Sequence, residues 1–261
     1  MRVVITRPAG DTHTWVSVLQ AAGHAPLALP LIDIGPPRDL QPLQQAWSDW
    51  AQWQAVMFVS AQAVRHFFQH QPAGMSWATG PRCWATGPGT RHALQQAGVP
   101  EAYIDSPAVD ALQFDSEALW QRVAPSVKAG QHVLIVRGQD AGNTAHASPI
   151  GTGRDWLAQQ LAAVGALPQF VVAYERRLPA WTNAQKAVAA QAVTDGSVWC
   201  FSSSQAIEHL RQLLPTQSWR QARCIATHAR IAQSAQALGF ADIHLSRPDV
   251  MDVLRSLECL A

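Results

Sequence analysis

Short apolar runs alternate with amphipathic stretches along the chain. Arg2 to Thr6 reads as a buried strand, and Asp11 or Thr12 can cap a helix through Trp15, Val16, Leu19 and Ala22 that stops at Gly23. Ala25 to Ile34 is apolar and extended, and Gly35-Pro36-Pro37 then breaks the pattern as a linker would. Ala55 to Ser60 reads as a strand, Ala61 to Phe68 as a helix, Arg82 to Thr86 as a strand, and Thr90 to Ala97 as a helix ended by Gly98. Val133 to Gly138 is strand-like, Arg154 to Val164 helical, and Phe170 to Tyr174 extended. Parallel strands need crossover helices, so this alternation predicts an α/β fold of two doubly wound, parallel-sheet lobes.

The pattern also repeats. Val133-Leu134-Ile135-Val136-Arg137-Gly138 matches Val3-Val4-Ile5-Thr6-Arg7-Pro8 at an offset of 133 − 3 = 130 residues. Phe58-Val59-Ser60-Ala61-Gln62-Ala63-Val64 matches Phe201-Ser202-Ser203-Ser204-Gln205-Ala206-Ile207 at 201 − 58 = 143. Periodicity alone therefore suggests two tandem halves.

Composition narrows the function. At 261 residues, 48% hydrophobic and 14% charged, the chain suits a globular protein of two domains. A net charge of +1 and the lack of a Lys/Arg run argue against a nucleic-acid partner. Cys83, Cys200, Cys224 and Cys259 form no C-x-x-C pair, and the first three lie in or beside strand-like runs, as buried thiols of a reducing cytosol would. The opening apolar run is too short for a signal peptide, and no span approaches a membrane helix, so a cytoplasmic location away from membranes is expected.

Doubly wound sheets bind ligands beyond the carboxyl ends of their strands. The junctions expected there are Thr6-Arg7-Pro8, Ser60-Ala61, Thr86-Gly87-Pro88-Gly89-Thr90, Ser202-Ser203-Ser204 and Thr227-His228. Amides at a helix start, at the positive end of its dipole, bind carboxylates without a lysine. Ser and Thr are also ordinary N-caps, and Gly87 and Gly89 could serve a turn with positive φ. The T-G-P-G-T run lacks the lysine and spacing of a nucleotide loop.

Arg7, Arg137 and Arg154 follow strands or open a helix and could bind carboxylates bidentately; a solvated surface role is the alternative for each. Tyr174 ends an apolar run, so its phenol could donate a proton at a lobe boundary or merely pack. His66 and His70 share a helical face without the carboxylate pattern of a metal site, and no G-x-S-x-G elbow supports a serine hydrolase. Trp47, Trp50 and Trp53 recur every three residues, as on one packed helix face.

From V-V-I-T-R-P to the terminal helix, the order of segments resembles the uroporphyrinogen-III synthase family. The resemblance is carried by F-V-S-A-Q-A-V, A-T-G-P-G-T-R-H-A-L-Q-Q-A-G, I-V-R-G, G-R-D-W-L-A-Q-Q-L-A-A-V-G-A, V-A-Y-E-R and F-S-S-S-Q-A-I. It implies a discontinuous first lobe of residues 1–35 and 175–261, an inserted lobe of residues 36–174, a two-stranded linker and a cleft between the lobes. It implies a cofactor-free lyase that closes the linear tetrapyrrole hydroxymethylbilane with loss of water, inverting the terminal pyrrole through a spiro intermediate. Tyr174 then takes the role of acid for the departing hydroxide. Arg7, Ser60, Gly87, Thr90, Arg137, Arg154, Ser203, Ser204 and Thr227 become candidate contacts to the substrate's acetates and propionates. The enzyme that forms hydroxymethylbilane becomes a candidate partner.

Two departures stand out. The far-half counterpart of Thr90 is Ile231, and Thr227-His228-Ala229 replaces a glycine-containing loop. They keep an inactive relative as one competing reading; a two-lobed cytosolic binder of an anionic metabolite is the other, because a cleft between lobes serves ligand capture without turnover equally well.

Overall fold

A computed structural model describes residues 1–77, 80–108, 115–141 and 155–260. Strands and helices alternate: β1 (Arg2–Ile5), α1 (His13–Ala21), β2 (Ala25–Ala28), β3 (Asp33–Gly35), α2 (Gln41–Ser48), β4 (Ala55–Phe58), α3 (Ala61–Phe68), β5 (Arg82–Ala85), α4 (Pro88–Gln96), β6 (Ile104–Asp105) and α5 (Ser116–Val123). There follow β7 (His132–Asp140), α6 (Trp156–Ala163), β8 (Leu167–Arg177), α7 (Asn183–Gln191), β9 (Val198–Phe201), α8 (Ser204–Leu213), β10 (Arg223–Ala226), α9 (Ala229–Leu238), β11 (Asp242–Leu245) and α10 (Val250–Glu258). The chain divides into a unit of Met1–Ile34 with Arg177–Ala261 and a unit of Gly35–Arg176. Among the described residues, no helix is long and apolar enough to cross a membrane.

The first unit is a parallel sheet in the order β11-β10-β9-β1-β2. Side chains alternate across a strand, and the core follows that alternation. Val3, Ile5, Val198 and Ile225 pack with Leu19 and Leu257 on one face, whereas Val4, Trp199, Phe201 and Cys224 pack with Leu210, Trp219 and Phe240 on the other. Each fully buried large side chain contributes about 1.5–3 kcal/mol. Both faces therefore need helices, and this explains why the strands are continuously apolar.

The second unit has the order β3-β8-β7-β4-β5-β6, with the pairs from β8 to β6 parallel. Met57, Trp84, Val133 and Ile135 form one core with Leu119 and Leu161. The helix α3 spans the Ala61 to Phe68 stretch expected from periodicity and buries Ala63, Val64 and Phe67. The tryptophans correct the sequence reading: Trp47 lies in α2, Trp50 in a separate 3-10 turn, and Trp53 in extended chain leading to β4. All three are buried, but a break in the helix replaces the single packed face. Cys83, Cys200 and Cys224 are buried strand thiols, and burial pushes the latter two up to about 12.

The sequence repeat is spatial, but the halves are not laid out in tandem. By the matched segments, β1 corresponds to β7 and β4 to β9. Chain order then pairs β2 with β8, β5 with β10 and β6 with β11. Under this correspondence β2-β1-β9-β10-β11 and β8-β7-β4-β5-β6 are the same spatial order. Each unit takes its first two equivalent strands from one sequence half and its last three from the other.

Candidate active site

In a doubly wound sheet, adjacent strands whose crossovers leave in opposite directions open a crevice at their carboxyl ends. In the first unit this switch point lies between β1 and β9, and in the second between β7 and β4, the equivalent place. Arg7 follows β1, and Arg137 occupies the matching position in β7. Ser203 follows β9, and Ser60 is its counterpart after β4.

The two arginines share an environment. The Arg7 guanidinium lies 4.9 Å from the centroid of Trp15, and that of Arg137 lies 4.1 Å from Phe170. The Nε atom of each is buried and makes no hydrogen bond among the described residues. Arg137 is only 2% exposed, and its Nη1 donates to Asp155 at 3.1 Å. Burial lowers the pKa of both side chains, opposed by Asp11 at Arg7 and by Asp155 at Arg137. A charged side chain with a buried, unused donor is costly, so an anion would be favourable at both positions, more so at Arg137, which is buried, than at Arg7, which is half-buried.

The hydroxyls divide by role. Ser60 caps α3 by accepting from the Ala63 N–H at 3.1 Å, and Ser203 caps α8 by accepting from Gln205 at 3.2 Å. Both therefore satisfy the helix start as well as facing the switch point. The Ser204 hydroxyl is buried with no partner among the described residues, as is that of Ser246 after β11, which sequence reasoning missed. The Thr6 hydroxyl is taken up by the Cys200 carbonyl at 2.6 Å, across the β1/β9 switch.

Gly87 precedes α4 with φ −175, an extended conformation open to any residue, so the positive-φ turn role does not apply there. Thr90 is buried in the first turn of α4, and Ile231 occupies the same turn of α9 within an apolar core. Thr227 is half-buried, and its N–H is used by the Phe201 carbonyl at 3.0 Å. His228 replaces the expected glycine as the cap of α9, with Nδ1 accepting from Arg230 at 3.2 Å. Arg154 lies outside the described residues.

Tyr174 is the best-defined group. It is 5% exposed on β8, opposite Gly138 of β7, where a bulge shifts the register: Val172 faces Arg137, Tyr174 faces Gly138, and Ala173 is the extra residue. Its hydroxyl lies 3.4 Å from Ser60 Oγ, beyond the carboxyl end of β4, and its ring stacks on His66 of α3. A residue of β8 thus reaches across β7 to the switch point. The neighbouring Glu175 is buried and accepts from Gln139 Nε2 at 2.9 Å. His66 was visible in the sequence only as a partner of His70 and was weighed there only for metal binding.

Two doubly wound α/β units, each with an arginine and a cap hydroxyl at its switch point, define a class of protein whose cationic and hydroxyl groups gather at strand carboxyl ends, where folds of this kind bind their ligands. The family model described as uroporphyrinogen-III synthase HemD matches residues 13–254, and the chain belongs to that family. The uroporphyrinogen-III synthase of Salmonella typhimurium is 29% identical over a 269-residue alignment covering 99% of this chain and 100% of its own. That of Synechococcus elongatus is 28% identical over 214 residues, 81% of this chain and 74% of its own. Among solved structures, uroporphyrinogen-III synthetase from Helicobacter pylori aligns with a TM-score of 0.60 at 17% identity, covering 100% of both chains. A mutant uroporphyrinogen III synthase from Thermus thermophilus gives 0.56 at 14%, covering 99% of this chain and 98% of its own. These structural likenesses show a shared fold.

Proposed function

We propose that the protein closes hydroxymethylbilane to uroporphyrinogen III. The observation that carries this reading is the Tyr174 hydroxyl, held beside Ser60 at the switch point of a chain that belongs to the synthase family. In this scheme the phenol gives its proton to the departing hydroxyl of the terminal hydroxymethyl group, releasing water and leaving an electron-poor methylene pyrrolenine. The substituted carbon of the terminal pyrrole attacks that methylene and forms the spiro intermediate. Cleavage of its older methylene bond, reclosure at the free carbon and loss of a proton return the aromatic ring and the phenol.

Every pyrrole of the substrate bears an acetate and a propionate, which suits Arg7, Ser203, Ser204 and Thr227 in one unit and Ser60, Gly87, Thr90 and Arg137 in the other. Holding the bilane folded supplies proximity and orientation, which substitute for a dedicated nucleophile. The scheme invokes no cofactor. We place the reaction in the cytoplasm, with hydroxymethylbilane handed over by the enzyme that forms it, because the free substrate closes unaided without inversion.

The test is incubation of metal-free protein with freshly generated hydroxymethylbilane, followed by oxidation and chromatographic separation of the porphyrin isomers. Predominantly type III product supports the reading. Type I alone, at the uncatalysed rate, overturns it.

A further inference from the structure

Tyr174 is confined on three sides by elements of the second unit. Below the ring is Gly138, where a Cβ would lie 2.5 Å from Cε2 and 2.8 Å from Cε1, so the phenol rests directly on the backbone of β7. The hydroxyl points to Ser60, the residue that caps α3. Six residues further along the chain, on the same helix, the imidazole of His66 stacks on the phenol with centroids 5.7 Å apart and planes 28° apart. Helix α3 therefore meets both the hydroxyl end and the face of the same side chain.

A tyrosine has two rotatable side-chain bonds, and a glycine beneath it sets no side chain against the ring. Backbone contact fixes how low the ring sits, and Ser60 offers the hydroxyl a partner at the long limit of a hydrogen bond, 3.4 Å. Neither fixes the tilt of the ring. The stacked imidazole does. We propose that His66 is a positioning residue, which clamps the Tyr174 ring against Gly138 and so aims the phenol hydroxyl. This role rests on the reading of Tyr174 as proton donor. Burial chiefly, and the nearby His70 and Arg65, lower the pKa of His66, which favours the neutral imidazole in the stack.

An aromatic ring is what the clamp requires; imidazole chemistry is not. His66→Ala should lower kcat about tenfold with KM changed less than twofold, and His66→Phe should restore most of the lost rate. In a Tyr174→Phe background, His66→Ala should have no further effect, because the group it aims is gone. Three results overturn the proposal: His66→Phe as poor as His66→Ala at an unchanged thermal midpoint, an undiminished His66→Ala effect in the Tyr174→Phe background, or a rise in KM alone. The underlying reading is tested separately by Tyr174→Phe by itself. If that variant is silent, the donor role falls and the clamp falls with it; if it is slow while His66→Ala is silent, only the clamp falls.

Discussion

The ring of Tyr174 fills the space that a side chain on Gly138 would occupy, at the one point where the β7/β8 register slips. A glycine is required here by a neighbour, not by its own backbone, and the same contact lets a residue of β8 reach Ser60 beyond β4. Gly138→Ala should therefore displace the phenol. The expected outcome is a loss of about 1–3 kcal/mol of stability, as for other overpacked sites, with turnover falling by more than the loss of folded protein explains. Parallel urea unfolding and turnover measurements check this; full activity in a folded variant would show that the ring's place does not matter.

Tyr174→Phe keeps the ring and its stacking and removes the hydroxyl alone. Turnover should drop by about a hundredfold, the lower end for loss of a positioned acid, with the thermal midpoint nearly unchanged. An unaltered rate with hydroxymethylbilane bound would remove Tyr174 from the acid role.

Arg137→Met retains an unbranched side chain over Phe170 and takes away a buried charge, while Asp155, 54% exposed, stays solvated. Replacing a buried ion by an apolar group of similar volume is often close to neutral, so stability should stay within about 1 kcal/mol of the parent. If Arg137 meets a substrate carboxylate, KM rises about tenfold, as for loss of a charge-assisted hydrogen bond. Collapse of the fold with KM intact would make the residue structural.

Ile231→Thr restores the hydroxyl that Thr90 has in the other unit, but places it in an apolar core. The cost should be about 1–3 kcal/mol, read from the shift in denaturation midpoint. Isomer ratio and rate should not improve, since α9 is already capped by His228. A faster variant would mean that the missing hydroxyl limits the enzyme.

Asp195 accepts from the Ser197 hydroxyl and N–H and from Arg2. Burial alone would raise its pKa; the two Ser197 hydrogen bonds and Arg2 outweigh it and hold the carboxyl below its ordinary value. A depressed carboxyl stabilises the fold fully above the unfolded-state pKa of about 3.9 and loses that contribution as pH falls through the folded value. Asp195→Asn should thus lower the thermal midpoint at pH 7, with the gap to the parent closing below about pH 4. An equal gap at pH 7 and pH 3 would show that ionisation is not what matters.

Much of this was legible in the sequence because it is local. The 3.6-residue periodicity of Ala61 to Phe68 marks α3, and the recurrence of Val-x-Ile-x-Arg marks β1 and β7 as equivalents. The three-residue tryptophan spacing misled because a break in the helix between Trp47 and Trp50 can bury both rings as well as a continuous helix does, and side-chain spacing does not record the break. The positive-φ turn offered as an alternative for Gly87 fails because its backbone is extended, and the presence of a glycine does not record which φ it adopts. The Gly138–Tyr174 contact depends on a bulge 36 residues away in pairing partner, and no local pattern encodes register. The pairing of Arg7 with Trp15 and of Arg137 with Phe170 was hidden for the same reason: a lone arginine after a strand looks solvated until its aromatic neighbour is placed.

The interleaving of the two sequence halves has a consequence for biosynthesis. Residues Gly35–Arg176 are contiguous, so that unit can close as soon as its last strand has left the ribosome. The strands β1 and β2, although made well before the rest of their sheet, have no further strand to join until β9 emerges, 198 − 28 = 170 residues after β2 ends. These strands are thus ordered long after they are made, and during translation their apolar faces are open to alternative partners. The natural decoy is already present: β4, the equivalent of β9, which appears far sooner and is made safe only when β7 arrives to claim its edge.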